Sequence, residues 1–235
     1  MLKLVIFDLD GTVMDTAPEL TDALNDTLAR HGLPAVEEDR VRGWIGDGAR
    51  ALLDKALAHA CSAPGCASVD LADAWQGFQF DYRQRCGTRS TVHAGVRNAL
   101  RRLRAQGIAC ALLTNKEGAF AHRLLVAHEL TDSFDLIVAG DTLAAKKPDP
   151  AVVHHLLDAM HCSPADAMLV GDSLVDVRTA RAAGVPVWLV THGYLNGEPV
   201  GADAPDRVFH SFADFDPLHP VTGLCAPQLR IAAAV

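Results

Sequence analysis

The sequence predicts an α/β fold: a doubly wound parallel sheet, interrupted directly after its first strand by a long helical segment. Three observations predict it. Short, uniformly apolar runs recur along the chain, as expected of strands covered on both faces. Amphipathic patterns separate them, and strands alternating with helices at this spacing form right-handed βαβ units. Between the first apolar run and Thr91 the rhythm breaks, and from Pro18 to about Cys86 only helical patterns occur.

Leu4–Phe7 is the first strand. It resembles the start of a signal peptide, but its apolar run is too short and meets two aspartates at once. Pro18-Glu19 starts a helix, with Thr16 as its expected cap, and Gly32-Leu33-Pro34 ends it. Gly43-Trp44-Ile45-Gly46-Asp47-Gly48 interrupts the next region. Val96–Leu103 shows the i, i+3, i+4 pattern and leads into a strand over Ile108–Leu113. Leu136–Val138 is a third strand, Ala151–Met160 a helix, and Met168–Val170 and Val185–Val190 complete the series. The expected division is a catalytic core over residues 1–14 and 90–218, a helical cap over 15–89, and an Ala-rich tail over 219–235 to which no function is assigned.

Bulk properties narrow the class. A chain of 235 residues buries roughly 70–75% of its unfolded surface, so stability requires no disulfide or structural metal. The formal charge of −8 argues against nucleic acid, whose phosphates need a basic surface. It leaves open a small anionic substrate, which needs only a local positive site. The six cysteines form no Cys-x-x-Cys motif and no disulfide framework is expected. No stretch approaches the ~18–20 apolar residues of a membrane span, and the cytoplasm is the expected location.

Four strand ends carry chemistry-bearing residues. In Phe7-Asp8-Leu9-Asp10-Gly11-Thr12, Asp8 and Asp10 lie two apart, so both project toward one side, about 6.5–7 Å apart at the backbone. Such a pair repels unless a cation sits near it, and Mg²⁺ suits oxygen ligands beside a phosphate. In Leu112-Leu113-Thr114-Asn115-Lys116, the Thr114 hydroxyl and free N–H groups at a helix start can cradle a phosphate. Thr-Asn there also serves as an ordinary helix cap. In Lys146-Lys147-Pro148-Asp149-Pro150, Pro148 biases Lys147 toward extended geometry. The two lysines then point oppositely, with Lys147 entering the cleft to neutralise phosphoryl oxygens and Asp8. In Leu169-Val170-Gly171-Asp172-Ser173-Leu174-Val175-Asp176, two carboxylates share one side of a helix start. There they complement the helix dipole; functionally, Asp172 becomes a metal ligand and Asp176 a ligand or an outer partner. Each motif alone has an ordinary structural explanation, but four in order at strand ends point to one site.

These four motifs resemble those of the haloacid dehalogenase superfamily of phosphohydrolases, over roughly residues 2–212. The similarity is closest to phosphoglycolate phosphatases. It extends to Trp44-Ile45-Gly46-Asp47-Gly48, to Gly193-Tyr194-Leu195-Asn196-Gly197-Glu198 and to Pro205-Asp206-Arg207-Val208. The resemblance implies a Rossmann-like core with an inserted C1-type cap. It also implies a mechanism. Asp8 attacks phosphorus to give an aspartyl-phosphate, and Asp10 protonates the leaving alkoxide and then activates water. Mg²⁺ is held by Asp8, the Asp10 backbone carbonyl and Asp172, while Thr114 and Lys147 stabilise the phosphoryl oxygens. Dehalogenase relatives lack an acid/base Asp two residues after the nucleophile, and phosphonatase relatives carry a small residue there and a Schiff-base lysine in the cap. Asp10 disfavours both.

The expected substrate is a short anionic phosphomonoester, 2-phosphoglycolate above all. Asn115, Lys116, Gly46, Asp47 and Arg50 are the candidate substrate-binding residues, with Arg50 or Lys116 meeting its carboxylate. The family often has Asn where Asp47 stands, and an unpaired Asp there would repel such a substrate. The alternatives are a sugar-phosphate phosphatase or a β-phosphoglucomutase-like mutase of the same fold. A phospho-accepting signalling module that is not an enzyme would lack the helical insertion. Neither nucleic acid nor membrane is an expected partner, and a monomer or homodimer is expected.

Overall fold

In the computed structural model, which describes residues 1–62, 68–194 and 204–218, strand β1 (Leu4–Phe7) lies near the middle of a six-stranded sheet. Its side chains alternate. Val5 and Phe7 enter one hydrophobic core, Leu4 and Ile6 the other, so β1 is buried on both faces, as its unbroken apolar run requires.

The chain then makes the two-residue strand β2 (Met14–Asp15) and four helices: α1 (Ala17–Arg30), α2 (Glu38–Arg42), α3 (Ala49–Ala60) and α4 (Leu71–Arg85). It returns through β3 (Thr91–Val92), which pairs antiparallel with β2. The remainder alternates strictly: α5 (Val96–Ala105), β4 (Ala109–Leu113), α6 (Gly118–Ala127), β5 (Leu136–Val138), α7 (Ala151–Ala159), β6 (Ala167–Gly171), α8 (Leu174–Ala182), β7 (Val187–Val190) and β8 (Arg207–Phe209), with short 3₁₀ turns before β5 and β6. The sheet order is β5-β4-β1-β6-β7-β8, and every pairing is parallel. This is the doubly wound α/β architecture expected from the sequence. The order reverses on either side of β1, and such switch points are where open α/β sheets bind ligands.

The four inserted helices share a continuous apolar core with the sheet: Leu20, Leu24, Phe78 and Tyr82 pack in the same cluster as Phe7. Helices α1 and α4 are also tied by polar contacts. Thr27 donates to Asp81 at 3.0 Å, Arg30 pairs with Asp81, and Arg85 pairs with Asp26 at 2.8 Å. Glu19 is fully buried, and its Oε2 accepts the backbone N–H groups of Gly87, Arg89 and Ser90. It therefore joins the start of the helical segment to its end.

Three expectations are corrected. Thr16 does not cap α1 with its side chain; its hydroxyl goes elsewhere. Strands β2, β3 and β8 were not expected, being only two or three residues long. Cys61 is disulfide-bonded, although Cys86, Cys110 and Cys162 are free thiols. Trp44 and Trp75 pack against the core. The tail over 219–235 and the stretch 195–198 lie outside the described residues. No helix among the described residues is long and apolar enough to cross a membrane.

Candidate active site

The sequence-predicted residues at the ends of β1, β4 and β6 come together, joined by the loop before α7. Asp8 follows β1 directly, and its carboxylate accepts from the Leu9 N–H at 2.7 Å. At Gly11 the chain turns with φ +85, and a Cβ there would lie 2.2 Å from Asp172 Oδ2. Only glycine allows both the turn and the close approach of the two loops.

Lys147 is buried and sits between two carboxylates, 2.8 Å from Asp8 and 2.7 Å from Asp176. Lys146 is exposed, so the two lysines diverge as Pro148 predicts. Burial lowers the proton affinity of Lys147, but the Asp176 and Asp8 carboxylates outweigh it and the net shift is upward. Asp176 stands at the start of α8, where it forms a capping box with Ser173. Its Oδ2 accepts from Ser173 N, Ser173 Oγ and Asp172 N, while Oδ1 faces Lys147. Asp172 is held from two sides, by Thr12 Oγ1 at 2.7 Å and by the Tyr194 N–H at 2.7 Å.

Asp8, Asp172 and Asp176 each present an oxygen within 4.8 Å of the others, all buried. Three carboxylates against the one ammonium of Lys147 leave two negative charges unbalanced. The strain shows in their acidities. Burial, with Asp176 and Asp10 adding to it and Lys147 opposing, pushes Asp8 up to about 7. Asp172 is raised well above the ordinary carboxylate range, by burial first and then by Asp8 and Asp176. An all-oxygen, doubly negative cluster fits Mg²⁺. Asp8 and Asp172 are the better ligands: Asp8 takes both its donors on Oδ1 and Asp172 takes one on each oxygen, whereas Asp176 takes three on Oδ2 and Lys147 on Oδ1.

Asp10 belongs to a second set of contacts. Its Oδ1 accepts from Thr16 Oγ1 at 2.5 Å and pairs with Lys116 at 3.1 Å. Lys116 is itself buried, and its ammonium lies 5.0 Å from the centre of the Tyr82 ring. Thr114 Oγ1 accepts from the Lys116 N–H at 3.1 Å. Asn115 is fully engaged: its amide N donates to Gly46 O at 3.0 Å and Lys147 O at 3.1 Å, and its oxygen accepts from Lys147 N at 2.9 Å. It clasps the loop of the helical segment to the loop carrying Lys147.

These groups surround a cavity of about 30 Å³, lined by Asp8, Asp10, Thr114, Asn115 and Lys116 on the sheet side. Leu20, Ile45, Gly46, Gly48, Ala49, Leu52, Tyr82 and Phe120 line the rest. Asp47 and Arg50 do not line it. Asp47 pairs with Lys55 at 2.7 Å, and Arg50 pairs with Asp54 at 3.3 Å and lies over the Trp75 ring. Of the candidates Gly46, Asp47 and Arg50, Gly46 alone lines the cavity. Sequence reasoning missed the parts of Tyr82 and Tyr194. The chain has only two tyrosines, both are buried beside these carboxylates, and that scarcity was the available signal.

The family model for haloacid dehalogenase-like hydrolases matches residues 5–190. Phosphoglycolate phosphatase 1 of Pseudomonas aeruginosa is 39% identical over 215 residues, covering 92% of this chain and 79% of its own. The plasmid phosphoglycolate phosphatase of Cupriavidus necator is 42% identical over 203 residues, covering 85% of this chain and 87% of its own. The crystal structure of a predicted phosphoglycolate phosphatase from Haemophilus somnus superposes with a TM-score of 0.87 at 32% identity, over 91% of this chain and 96% of that one. CbbY from Rhodobacter sphaeroides, solved in complex with phosphate, superposes with a TM-score of 0.76 at 25% identity, over 91% and 96%. A family match across most of the sheet, with relatives this similar over most of both chains, means that the chain belongs to the haloacid dehalogenase-like hydrolases and is a phosphatase.

Proposed function

We propose that the protein is a Mg²⁺-dependent phosphomonoester hydrolase acting through an aspartyl-phosphate, with 2-phosphoglycolate as its substrate. One observation carries this reading: the two aspartates of Asp8-Leu9-Asp10 are served by different lysines, Lys147 for Asp8 and Lys116 for Asp10. That separation suits two roles. Asp8, beside Lys147 and the carboxylate cluster, attacks phosphorus; its Oδ–P bond forms as the ester P–O bond breaks. Asp10 gives its proton to the departing alkoxide, then takes one from the water that cleaves the acyl phosphate. Thr114 and Lys147 hold the phosphoryl oxygens. Asp8, Asp172 and the Asp10 backbone carbonyl would hold Mg²⁺, whose charge when bound lets an anion approach an anion; Asp176 keeps Lys147 and Asp172 in place.

Lys116 is the cation available to a carboxylate on the leaving group, beside the acid that protonates it. Arg50 and Asp47, engaged with Asp54, Trp75 and Lys55, are not assigned to the substrate. The small, largely apolar remainder of the cavity favours a two-carbon leaving group over a sugar. The names of the relatives support the same substrate. Entry requires the helical segment to open, releasing Asn115 from Gly46, and closure then excludes water from the chemistry.

The test is phosphate release from a panel of 2-phosphoglycolate, sugar phosphates and aryl phosphates, with and without Mg²⁺. Metal-dependent release, with the highest kcat/KM on 2-phosphoglycolate, is the expected result. Little release from any member, with isomerisation of a sugar phosphate instead, would mean a mutase.

A further inference from the structure

Helix α1 begins without a side-chain cap from its N-cap residue. Thr16 occupies the N-cap position, yet its side chain makes no capping bond, and Pro18 lies in the first turn. The exposed ends of such a helix need acceptors for their N–H groups. Asp15 Oδ1 accepts from Ala17 N at 3.2 Å, and the stronger acceptor comes from 178 residues away: the Tyr194 hydroxyl accepts from Thr16 N at 2.8 Å and from Ala17 N at 3.0 Å. It donates its own proton to Asp15 Oδ1 at 2.8 Å. One donor and two acceptor sites are the whole capacity of a phenol, and all are used. Tyr194 is 5% exposed, its ring lies 5.6 Å from the Arg42 guanidinium, and Arg42 holds the other oxygen of Asp15 at 2.8 Å.

We propose that Tyr194 is a positioning residue for Asp10: by capping α1 in place of Thr16, it leaves the Thr16 hydroxyl free to orient the Asp10 carboxylate. A Thr hydroxyl at an uncapped N-terminus is drawn to the N–H groups of its own first turn. Without the Tyr194 hydroxyl, Thr16 Oγ1 is drawn back to its own helix and Asp10 loses the 2.5 Å bond that aims it. The same residue donates its N–H to Asp172, a backbone contact that survives side-chain substitution. The inference rests on Asp10 acting as the acid for the leaving group.

The test is the leaving-group dependence of kcat/KM, which reports steps up to and including departure of the alcohol. For Tyr194→Phe, kcat/KM on an alkyl phosphate should fall about 10-fold or more, the equivalent of one lost oriented hydrogen bond. On an aryl phosphate with an acidic leaving group, which needs no proton, it should fall by less than about threefold. Equal losses on both substrates, or no loss on either, would overturn the proposal. Thr16→Val should give the same signature by itself, which keeps the idea testable if Tyr194→Phe does not fold. The double variant should be no worse than the poorer single, and losses that multiply would show independent roles. Asp10→Asn is the control. If it fails to discriminate between the esters, the acid assignment is wrong; if it discriminates and Tyr194→Phe does not, only the Tyr194 proposal fails.

Discussion

Lys147 donates to Asp176 across 2.7 Å, inside a region where neither side chain reaches solvent. Asp176 also closes the first turn of α8, so one carboxylate holds both a helix terminus and a buried ammonium. Asp176→Asn keeps the shape and removes the charge. Lys147 keeps Asp8 as its partner, so the cost is that of weakened charge-assisted hydrogen bonds, about 1.5–3 kcal/mol. A lower urea midpoint with an unchanged slope is expected for this variant.

Asp8→Asn removes the proposed nucleophile and should abolish turnover of every phosphomonoester. Asp10→Asn should permit at most slow phosphorylation of Asp8, visible as acid-stable protein label with little phosphate release. Full activity in Asp8→Asn would sink the covalent mechanism.

Chelation should abolish phosphate release, and Mg²⁺ should restore it. Because the ion binds the folded cluster of Asp8 and Asp172, saturating metal should also raise the unfolding midpoint, by about 2.7 kcal/mol of stability at 100 times Kd. Asp172→Asn should remove most of that increment. Equal melting temperatures with and without Mg²⁺ in the wild type would count against the cluster as its site.

Lys116 and Asp47 separate two accounts of substrate choice. Lys116→Met should raise KM for 2-phosphoglycolate by about 10-fold or more, the loss of a charge-assisted contact, and should affect an aryl phosphate less. Asp47→Asn, in contrast, exchanges a residue already paired with Lys55 outside the cavity. Its kcat/KM on 2-phosphoglycolate should stay within about threefold of wild type, the range of an exposed ion pair.

His93 stacks on His192 with ring centres 3.9 Å apart. Burial, and then His192, lowers the His93 pKa to about 4. An unfolded histidine titrates near pH 6.5, so between these values the unfolded chain binds more protons. The His93 contribution to stability is therefore complete above about pH 6.5 and is lost as pH falls toward 4. The raised Asp8 and Asp172 carboxyls act in the opposite sense over this range, so the His93 contribution is read as a difference: from pH 7.5 to 5 the urea midpoint of the wild type should fall relative to that of His93→Gln.

Much of this was legible because strands buried on both faces announce themselves. Leu4–Phe7, Met168–Val170 and the other apolar runs needed no tertiary information. Strand ends in a parallel sheet also share one edge, so Asp8, Thr114 and Asp172 could be assembled from order alone. The cap loop could not be read that way. Gly46 and Gly48 adopt φ +131 and +93, and Asp47 between them pairs with Lys55, eight residues on in α3. Strand β8 carries one arginine in three residues and gains its identity only by pairing with β7. The Thr16 hydroxyl looked committed to its helix because nothing in the local sequence shows a tyrosine arriving from 178 residues away.

The pairing of β2 with β3, Met14 opposite Val92 and Asp15 opposite Thr91, bears on how the helical segment can travel. A body on one tether has the freedom to tumble, whereas two tethers bonded to each other leave it a single swing. In the opening proposed above, every closure would retrace one arc, and the apolar wall of Leu20, Ile45 and Leu52 would return over the carboxylates in the same register each time, without a search.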